Sequence, residues 1–456
     1  MRKVDIAVVG AGTAGLVAAR EALKRGREVL LVEQGPGGTT CARVGCMPSK
    51  LLIAAAEHAH AVRAASSFGI NVEGRVDGEA VMSRVRHERD RFVDFVMQDI
   101  ARMPEGTYLR GRARFTRDMV LEVDGEQIEA DRVVLAVGSR PIVPPPLAAA
   151  KDRLIHNDEL FELESLPESI AVFGPGIIGL ELGQSLSRLG VRTRVLGVSG
   201  NVGPLTDPEL KAETARLFSG ELPLNAAADD LHAKSIDGKV EVHWREEGNP
   251  RTEDFQYALV ATGRRSNVDL LDLDKTSLSR GPKGDLLLDA NTLQVGSSPV
   301  FVAGDATNIR PVLHEASDEG WIAGTNAVLY PNVVPAPRKS PLSIVFTEPN
   351  MIMVGTPYLE LDSGSFVTGR VSFENQGRSR MMGINAGALH VYVHREGGRF
   401  LGAEGIGPRL EHIAHLLAWS HQQELTLDEM LVMPFYHPVI EEGLRTALRD
   451  AKRQLR

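Results

Sequence analysis

The glycine pattern Gly-x-Gly-x-x-Gly at residues 10–15 constrains the fold most strongly, because it follows a short apolar run and precedes a helix-forming segment. The flanking segments are predicted as a strand at 4–9, a helix from 16 to about 25, and a strand at 28–32 followed by Glu33. In such a βαβ unit the glycines let a pyrophosphate approach the helix N-terminus, and the terminal acid accepts a ribose hydrogen bond. The predicted dinucleotide-binding residues of this unit are Gly10, Gly12, Gly15 and Glu33.

The same pattern returns at residues 174–179. It lies between a predicted strand at 169–173 and a predicted helix at 180–189, and a further strand is predicted at 192–196. Strand, glycines, helix and strand agree with one another, so the repeat predicts a second dinucleotide site. Its predicted binding residues are Gly174, Gly176 and Gly179.

The second unit departs from the first at its terminal acid. Glu33 lies 18 residues after Gly15 (33 − 15), and the same spacing from Gly179 (197 − 179) leads to Gly197. An acid there selects NAD, whereas neighbouring arginines select the 2′-phosphate of NADP, and neither is present. Ser199 is a candidate contact for either ribose. The sequence therefore leaves NAD(H) and NADP(H) open, with NAD slightly favoured.

Each unit is closed by a similar strand-and-glycine element, at 133–141 and 258–265. A later strand at 300–304 ends at Asp305, whose carboxylate is suited to accept a hydrogen bond from a nucleotide hydroxyl. The proline run at 143–146 predicts a stiff linker. These elements add three candidate binding residues, Gly138, Gly263 and Asp305.

Together the elements predict an α/β fold with two Rossmann-like nucleotide-binding domains, one inserted into the other, and a separate C-terminal α+β domain. The C-terminal part is indicated by a predicted strand at 388–393 and a predicted helix at 411–420. Residues 79–100 are predicted as a charged surface helix. The predicted division is a first nucleotide-binding domain that begins at 1–146 and is completed at 269–338, a second nucleotide-binding domain at 147–268, and a separate α+β domain at 339–456.

Composition excludes several classes of function. The net charge of −9 argues against a nucleic-acid-binding surface, and no apolar run approaches the roughly 18 residues of a membrane span. We therefore expect a cytoplasmic protein with neither a nucleic-acid nor a membrane partner. The chain has 2 cysteines, Cys41 and Cys46, too few for a thiolate zinc cage, so a redox role is favoured. Glu411, His412 and His415 are interpreted as a solvated helix face, and no metal site is predicted.

The cysteines lie in the segment Thr-Cys-Ala-Arg-Val-Gly-Cys-Met-Pro-Ser-Lys at 40–50. This segment resembles the redox-active disulfide of class I pyridine nucleotide-disulfide oxidoreductases, among them dihydrolipoamide dehydrogenase, glutathione reductase and mercuric reductase. The resemblance covers essentially the whole chain, including Phe-Thr-Glu-Pro at 346–349 and His437-Pro438. The Pro-Ser-Lys ending looks most like dihydrolipoamide dehydrogenase and mercuric reductase. The absence of a C-terminal cysteine pair disfavours mercuric reductase.

The resemblance implies an enzyme that moves electrons between NAD(P)(H) and a dithiol or disulfide through FAD. It implies that Cys46 is the thiol nearest the flavin and that Cys41 exchanges with substrate. It also implies that His437 is the catalytic base, that Glu442 orients it, and that both act from the partner subunit of a homodimer. An orienting carboxylate fixes the imidazole tautomer and leaves the other nitrogen as base.

The resemblance assigns four further residues to the flavin. Lys50 and Glu181 match an ion pair beside the flavin ring. Glu33 and Asp305 match the contacts to the FAD ribose and ribityl chain. The three glycines of the second pattern match the nicotinamide-nucleotide site.

Several positions depart from the family pattern and keep the substrate open. Thr39 replaces a glycine, Ala42-Arg43 replaces Leu-Asn, and the residues around His437 also differ. Three hypotheses follow: a dihydrolipoyl dehydrogenase-type enzyme acting on a small thiol or a lipoyl domain, an NAD(P)H-dependent reductase of another disulfide or small electrophile, and a redox-sensing flavoprotein. Structural alternatives also remain, in which His437, Glu442 or Lys50 serves the fold alone.

Overall fold

The strands and helices follow the pattern expected for alternating βα units and a C-terminal α+β part. The computed structural model describes residues 1–282 and 284–455. The strands are β1 (Arg2–Val9), β2 (Val29–Glu33), β3 (Tyr108–Arg110), β4 (Ala113–Arg117), β5 (Val120–Val123), β6 (Glu126–Leu135), β7 (Ser139–Pro141), β8 (Leu154–Ile155), β9 (Ser169–Phe173), β10 (Arg192–Leu196), β11 (Leu224–Asn225), β12 (Asp229–Ile236), β13 (Lys239–Glu246), β14 (Asn249–Phe255), β15 (Tyr257–Val260), β16 (Arg264–Ser266), β17 (Val300–Val302), β18 (Leu342–Val345), β19 (Asn350–Gly355), β20 (Phe366–Ser372), β21 (Ala388–His394) and β22 (Phe400–Gly407).

The helices are α1 (Thr13–Lys24), α2 (Thr40–Arg43), α3 (Cys46–Ala64), α4 (Gly78–Ala101), α5 (Asn157–Leu160), α6 (Ile177–Arg188), α7 (Pro208–Glu221), α8 (Leu313–Leu329), α9 (Gly377–Met381), α10 (Leu410–Gln422), α11 (Leu427–Leu431) and α12 (Glu442–Gln454). Short 3-10 helices span Ala65–Phe68, Pro145–Arg153, Val268–Leu270, Leu273–Lys275, Gly304–Thr307 and Tyr358–Glu360. Among the described residues, no helix is both long enough and apolar enough to cross a membrane.

The chain forms two units. Unit 1 comprises Met1–Pro48, Arg84–Ile142 and Gly263–Arg338, and unit 2 comprises Ser49–Ser83, Val143–Thr262 and Lys339–Arg456. The four-segment division expected from the sequence draws its boundaries differently and stays a prediction.

Unit 1 is built on a sheet with the strand order β3-β2-β1-β6-β5-β4, and β17 pairs with β6. β1 pairs in parallel with β2 and β6, and most of its side chains are buried, as expected for a parallel strand covered on both faces. Helix α8 packs closely on α1, because a Cβ at Gly320 would lie 2.3 Å from the carbonyl oxygen of Ala14. This contact fixes the N-terminus of α1 beside the first glycine pattern.

Unit 2 contains a parallel sheet with the order β11-β10-β9-β15-β8 and an antiparallel sheet with the order β12-β13-β14. Its C-terminal part is an antiparallel sheet with the order β18-β19-β22-β21-β20. Buried residues of that sheet, of α10 and of α12 form one hydrophobic core that includes Phe400, Leu417 and Leu448, and Phe373, directly after β20, belongs to it.

A buried polar cluster in unit 2 links the start of α7 to the C-terminal sheet. Asp207 caps α7 by accepting the backbone N–H of Glu209 at 2.9 Å, and its other oxygen lies 2.8 Å from His390 Nδ1. Glu404 is fully buried and accepts the N–H groups of Asp207 and Tyr358. Burial opposes ionisation of Asp207, but hydrogen bonds from His390 and the α7 backbone outweigh it and lower the pKa of Asp207.

The structure corrects the predicted start of both nucleotide-site helices. The sequence placed these starts after the third glycine, at residues 16 and 180, but α1 begins at Thr13 and α6 at Ile177. The third glycine of each pattern lies in the first turn of its helix. There it packs directly against the carbonyl group of the first glycine. The predicted linker at 143–146 is also partly regular, because a 3-10 helix begins at Pro145.

Candidate active site

The first glycine pattern forms a tight turn with open space at its centre. Gly10 has φ +104°, and a Cβ there would lie 2.2 Å from the carbonyl oxygen of Ala136. A Cβ at Gly15 would lie 1.8 Å from the carbonyl oxygen of Gly10. By contrast, no described atom lies within 4 Å of a Cβ built at Gly12. Gly10 and Gly15 are required by the turn itself, and Gly12 leaves the room that a pyrophosphate needs at the N-terminus of α1.

Glu33, at the end of β2, is held against this turn by the backbone. One carboxylate oxygen accepts the N–H of Ala11 at 2.7 Å, and the other accepts the N–H of Gly35 at 2.7 Å. Each oxygen keeps a second lone pair for a further donor. The fixed carboxylate beside an open glycine turn fits the ribose diol and pyrophosphate of a dinucleotide such as FAD.

A chain of hydrogen bonds in unit 1 fixes Asp305. The hydroxyl of Ser139 donates to the Asp305 carboxylate at 2.7 Å, and Nε of Arg264 donates to the same hydroxyl at 2.8 Å. Arg264 also donates to the Ser139 carbonyl oxygen at 2.7 Å. Ser139 follows Gly138, which has φ +65° and no described atom within 4 Å of an added Cβ. Asp305 is therefore held in one orientation by residues that the sequence analysis did not assign.

The second glycine pattern repeats the backbone of the first. Gly174 has φ +103°, and its Cβ would lie 2.5 Å from the carbonyl oxygen of Ala261. A Cβ at Gly179 would lie 1.9 Å from the carbonyl oxygen of Gly174, and no described atom lies within 4 Å of one at Gly176. Gly263, in the closing element, has φ +106°. Unit 2 thus offers a second turn of the kind that accepts a pyrophosphate.

Both cysteines lie in unit 1, on the segment that runs from the end of β2 into the first turn of α3. Cys41 is in α2 and half-buried, whereas Cys46 is exposed and is the first residue of α3. Cys46 therefore lies at the positive end of the α3 dipole. Nε of Arg43 donates to the carbonyl oxygen of Gly37 at 2.8 Å and ties α2 to the preceding loop.

Lys50 and Glu181 form an ion pair, as the family resemblance predicted. Nζ of Lys50 lies 2.8 Å from Oε2 of Glu181, whose side chain is 6% exposed. The second carboxylate oxygen of Glu181 accepts the N–H of Phe346 at 2.8 Å. The Lys50 ammonium also lies 4.6 Å from the centre of the Phe346 ring. Phe346 therefore supports both members of the pair.

His437 and Glu442 are also joined. Nδ1 of His437 lies 2.9 Å from Oε2 of Glu442, and Arg445 donates to Oε1 at 2.9 Å. Desolvation opposes ionisation of Glu442, but the hydrogen bonds from His437 and from the N–H of Val439 outweigh it and lower the pKa of Glu442. The His437 side chain is 79% exposed in the single chain. The imidazole is therefore held by Glu442 at Nδ1 and is otherwise exposed to solvent.

Comparisons with known proteins identify the family of the chain. Residues 4–320 match the family described as pyridine nucleotide-disulphide oxidoreductase, and residues 342–448 match its dimerisation domain. The chain belongs to this family. Its members are oxidoreductases, so the enzyme class and the α/β fold with a C-terminal dimerisation domain are confirmed.

Relatives of this oxidoreductase extend over its full length. A dihydrolipoyl dehydrogenase of Halobacterium salinarum is 30% identical over 98% of this chain and 96% of its own length. A dihydrolipoyl dehydrogenase of Bacillus subtilis is 28% identical over 98% of both chains. The solved structure of the HOCl-induced flavoprotein disulfide reductase RclA from Escherichia coli has a TM-score of 0.83 and 20% identity, covering 99% of this chain and 100% of that chain. This last similarity concerns the fold.

Family membership also gives the cofactor class and supports the assembly. Pyridine nucleotide-disulphide oxidoreductases imply FAD and NAD(P), and the match to the dimerisation domain supports a homodimer. The structure brings together three pairs of predicted or newly found residues: Lys50 with Glu181, His437 with Glu442, and Ser139 with Asp305. Ser139 and Arg264 could have been noticed in the sequence, because each directly follows the glycine of one of the two similar closing elements.

Proposed function

We propose that this oxidoreductase is of the dihydrolipoyl dehydrogenase type and transfers an electron pair from a dithiol to a nicotinamide through the Cys41–Cys46 pair. In the net reaction, a dithiol and NAD(P)+ give a disulfide, NAD(P)H and one proton. FAD, when bound, supplies the two-electron transfer between the nicotinamide and the cysteines. The observation that carries the proposal is the hydrogen bond of 2.9 Å between His437 and Glu442 in a chain with the Cys41 and Cys46 spacing.

The cysteines and the histidine divide the thiol chemistry between them. A substrate thiolate attacks the sulfur of Cys41, and the Cys41–Cys46 bond breaks with Cys46 as the leaving thiolate. The second substrate thiol then displaces Cys41 and closes the product disulfide. His437 of the partner subunit takes the proton from the attacking thiol, and Glu442 keeps the imidazole in the tautomer that can do so.

The remaining site residues are proposed to bind the two nucleotides. Glu33 and Asp305 would hold the ribose and the ribityl chain of FAD, and the Lys50–Glu181 pair would hold its ring. The glycines Gly10, Gly12, Gly15 and Gly138 would help to bind FAD, and Gly174, Gly176, Gly179 and Gly263 would help to bind the nicotinamide nucleotide, with NAD slightly favoured. The corresponding domains are the FAD domain at 1–146 and 269–338, the NAD(P) domain at 147–268 and the interface domain at 339–456.

The test is turnover of the purified FAD-loaded dimer with dihydrolipoamide and either NAD+ or NADP+. We expect nicotinamide reduction that the Cys41→Ser variant loses, while that variant still reduces ferricyanide with NADH because this reaction bypasses the thiol exchange. A lack of turnover with both nucleotides would remove dihydrolipoamide as the substrate. Free dihydrolipoamide and a lipoylated domain, compared at equal concentration, distinguish a small thiol from a protein-bound one.

A second candidate is an NAD(P)H-dependent reductase of another disulfide or a small electrophile. Tyr436, directly before His437, is 80% exposed and adds an aromatic surface beside the proposed base. Such a surface suits a substrate with an apolar or aromatic group. A panel of disulfides tested with NADH and NADPH separates this candidate from the first by comparing kcat/KM with that for lipoamide.

A further inference from the structure

The end of β10 has no room for the acid that selects NAD. Gly197 occupies the position equivalent to Glu33 in the first unit. A Cβ at Gly197 would lie 2.6 Å from Cδ and 2.8 Å from Cγ of Pro175, and 3.1 Å from the carbonyl oxygen of Ala226. Contacts below 3.0 Å require a neighbouring atom to move, and the proline ring is part of the glycine turn. Position 197 is therefore restricted to glycine for as long as Pro175 is present.

The first βαβ unit shows which hydrogen-bond donor is missing where Pro175 stands. Ala11 occupies the equivalent place between the first two glycines, and its N–H donates to Glu33 at 2.7 Å. Proline has no N–H, so Pro175 cannot hold a carboxylate at position 197 even if one fitted. The Pro175 ring leaves no space for a carboxylate side chain at position 197. The missing N–H of Pro175 also removes the donor that would hold such a carboxylate. Pro175 and Gly197 thus form a matched pair that replaces Ala11 and Glu33 of the first unit.

The other polar groups beside the end of β10 do not replace the missing carboxylate in selecting between NAD and NADP. The side chain of Asn225 is engaged, because it donates to Glu246 at 3.2 Å and accepts the N–H of Ala227 at 3.0 Å. Residues 197–203 contain no charged side chain. Ser199 accepts the N–H of Asn201 at 3.4 Å and keeps its hydroxyl hydrogen as a donor. A hydroxyl donor serves a ribose hydroxyl and a phosphate alike.

We infer that the second nucleotide site binds NAD(H) and NADP(H) with little discrimination, and that the Pro175–Gly197 pair is the cause. An acid at this position would attract the 2′-hydroxyl of NAD and repel the 2′-phosphate of NADP, and its absence removes both effects. Arginine or lysine in residues 197–203 would favour NADP, and none is present. The inference rests on the proposed binding of the nicotinamide nucleotide at the second glycine turn.

The test measures dissociation constants of NAD+ and NADP+ for the purified FAD-loaded dimer by calorimetry at fixed ionic strength. The wild-type constants are expected to agree within about tenfold, since neither selecting group is present. A larger ratio in either direction would overturn the inference while leaving the proposed function intact. Failure of both nucleotides to bind would overturn the proposed function as well.

Variants test the role of the pair itself. Pro175→Ala removes the clashing Cγ and Cδ and restores an N–H, so Pro175→Ala/Gly197→Glu is expected to shift the ratio by at least tenfold toward NAD+. Pro175→Ala alone is the matched control and should leave the ratio unchanged. Gly197→Glu alone should weaken both nucleotides, because the ring remains. If the double variant shows the wild-type circular dichroism spectrum and an unchanged ratio, the pair does not control selectivity.

Discussion

Nδ1 of His437 lies 2.9 Å from Oε2 of Glu442, and the other oxygen of that carboxylate is held by Arg445. An ionised carboxylate only accepts hydrogen bonds, so Nδ1 carries the hydrogen in this pair. Nε2 is then the nitrogen available to take a proton. The lowered pKa of Glu442 keeps the carboxylate ionised throughout the pH range in which a histidine acts as a base.

Glu442→Gln is expected to lower kcat for dithiol oxidation by about 10²-fold, within the range of about 10²–10⁴ typical of general acid–base catalysis. The amide can hold the wrong tautomer, and it stabilises the charged imidazole less well. Reduction of ferricyanide by NADH should be unchanged. Glu441→Gln, one residue earlier, is the control and should retain full activity. Equal losses in both assays would show that Glu442 serves the fold rather than the base.

Lys50→Met is expected to destabilise unit 2 by about 2 kcal/mol, because it leaves the buried carboxylate of Glu181 without its cation. This value is below that of a fully buried pair, since the Lys50 side chain is 34% exposed. Adding Glu181→Gln should recover part of the loss in a thermal denaturation series. Lys234→Met breaks a surface pair with Glu241, 2.9 Å long, and should change stability much less than Lys50→Met does. A similar loss in both lysine variants would contradict a special role for burial.

Arg264→Met is expected to accelerate FAD release by about tenfold, the equivalent of one hydrogen bond of about 1.4 kcal/mol. Arg264 acts through Ser139 on the orientation of Asp305, so it is a positioning residue. The measurement is the rise of flavin fluorescence after dilution. Arg265→Met is the neighbouring control, since Arg265 pairs with the surface carboxylate of Asp269. Equal release rates for the two variants would remove the positioning role.

Thr39→Gly is expected to be more stable than Thr39→Ala by about 1–2 kcal/mol. Thr39 has φ 59° and ψ 150°, a region that glycine adopts without strain and a β-branched residue does not. Both variants lose the hydroxyl that accepts the N–H of Ala42, so their difference isolates the backbone. Thr40→Gly, inside α2, should instead lower the Tm. A Thr39→Gly variant no more stable than Thr39→Ala would show that the backbone is relaxed.

Asp207→Asn is expected to lower stability at pH 7 by about 1–2 kcal/mol and to flatten the acid limb of the Tm–pH curve. The pKa of Asp207 is lowered in the folded chain, so its contribution is complete above its ordinary pKa of about 3.9. That contribution is lost as the pH falls through the folded value. Glu213→Gln, in an exposed pair with Arg216 on the same helix, is the control. Parallel Tm–pH curves for wild type and Asp207→Asn would contradict this account.

The sequence predicted the repeated βαβ units because each strand and helix there follows from local pattern. The predicted strand at 169–173 and the predicted strand at 192–196 coincide with β9 and β10. The helix starts at Thr13 and Ile177 were missed, because the position of the third glycine depends on a contact with the first glycine rather than on helix propensity. A prediction from the local sequence pattern does not take that contact into account.

The candidate site likewise contains contacts that were predicted and contacts that were not. The Lys50–Glu181 pair spans 131 residues and was predicted only through family resemblance, which carries tertiary information that spacing does not. The link from Arg264 to Ser139 spans 125 residues and went unpredicted, although both side chains follow the glycine of a recognised element. The clash between Pro175 and a side chain at Gly197 likewise depends on how the end of β10 meets the glycine turn.

Passage of the electron pair through Cys41 and Cys46 is measured by counting alkylatable thiols before and after anaerobic reduction with one equivalent of NADH or NADPH. The expected result is no labelling of the oxidised protein and labelling of both cysteines, 2 per chain, after reduction. Reduction that bleaches the flavin while both cysteines stay unlabelled, or labelling already complete in the oxidised protein, would contradict it.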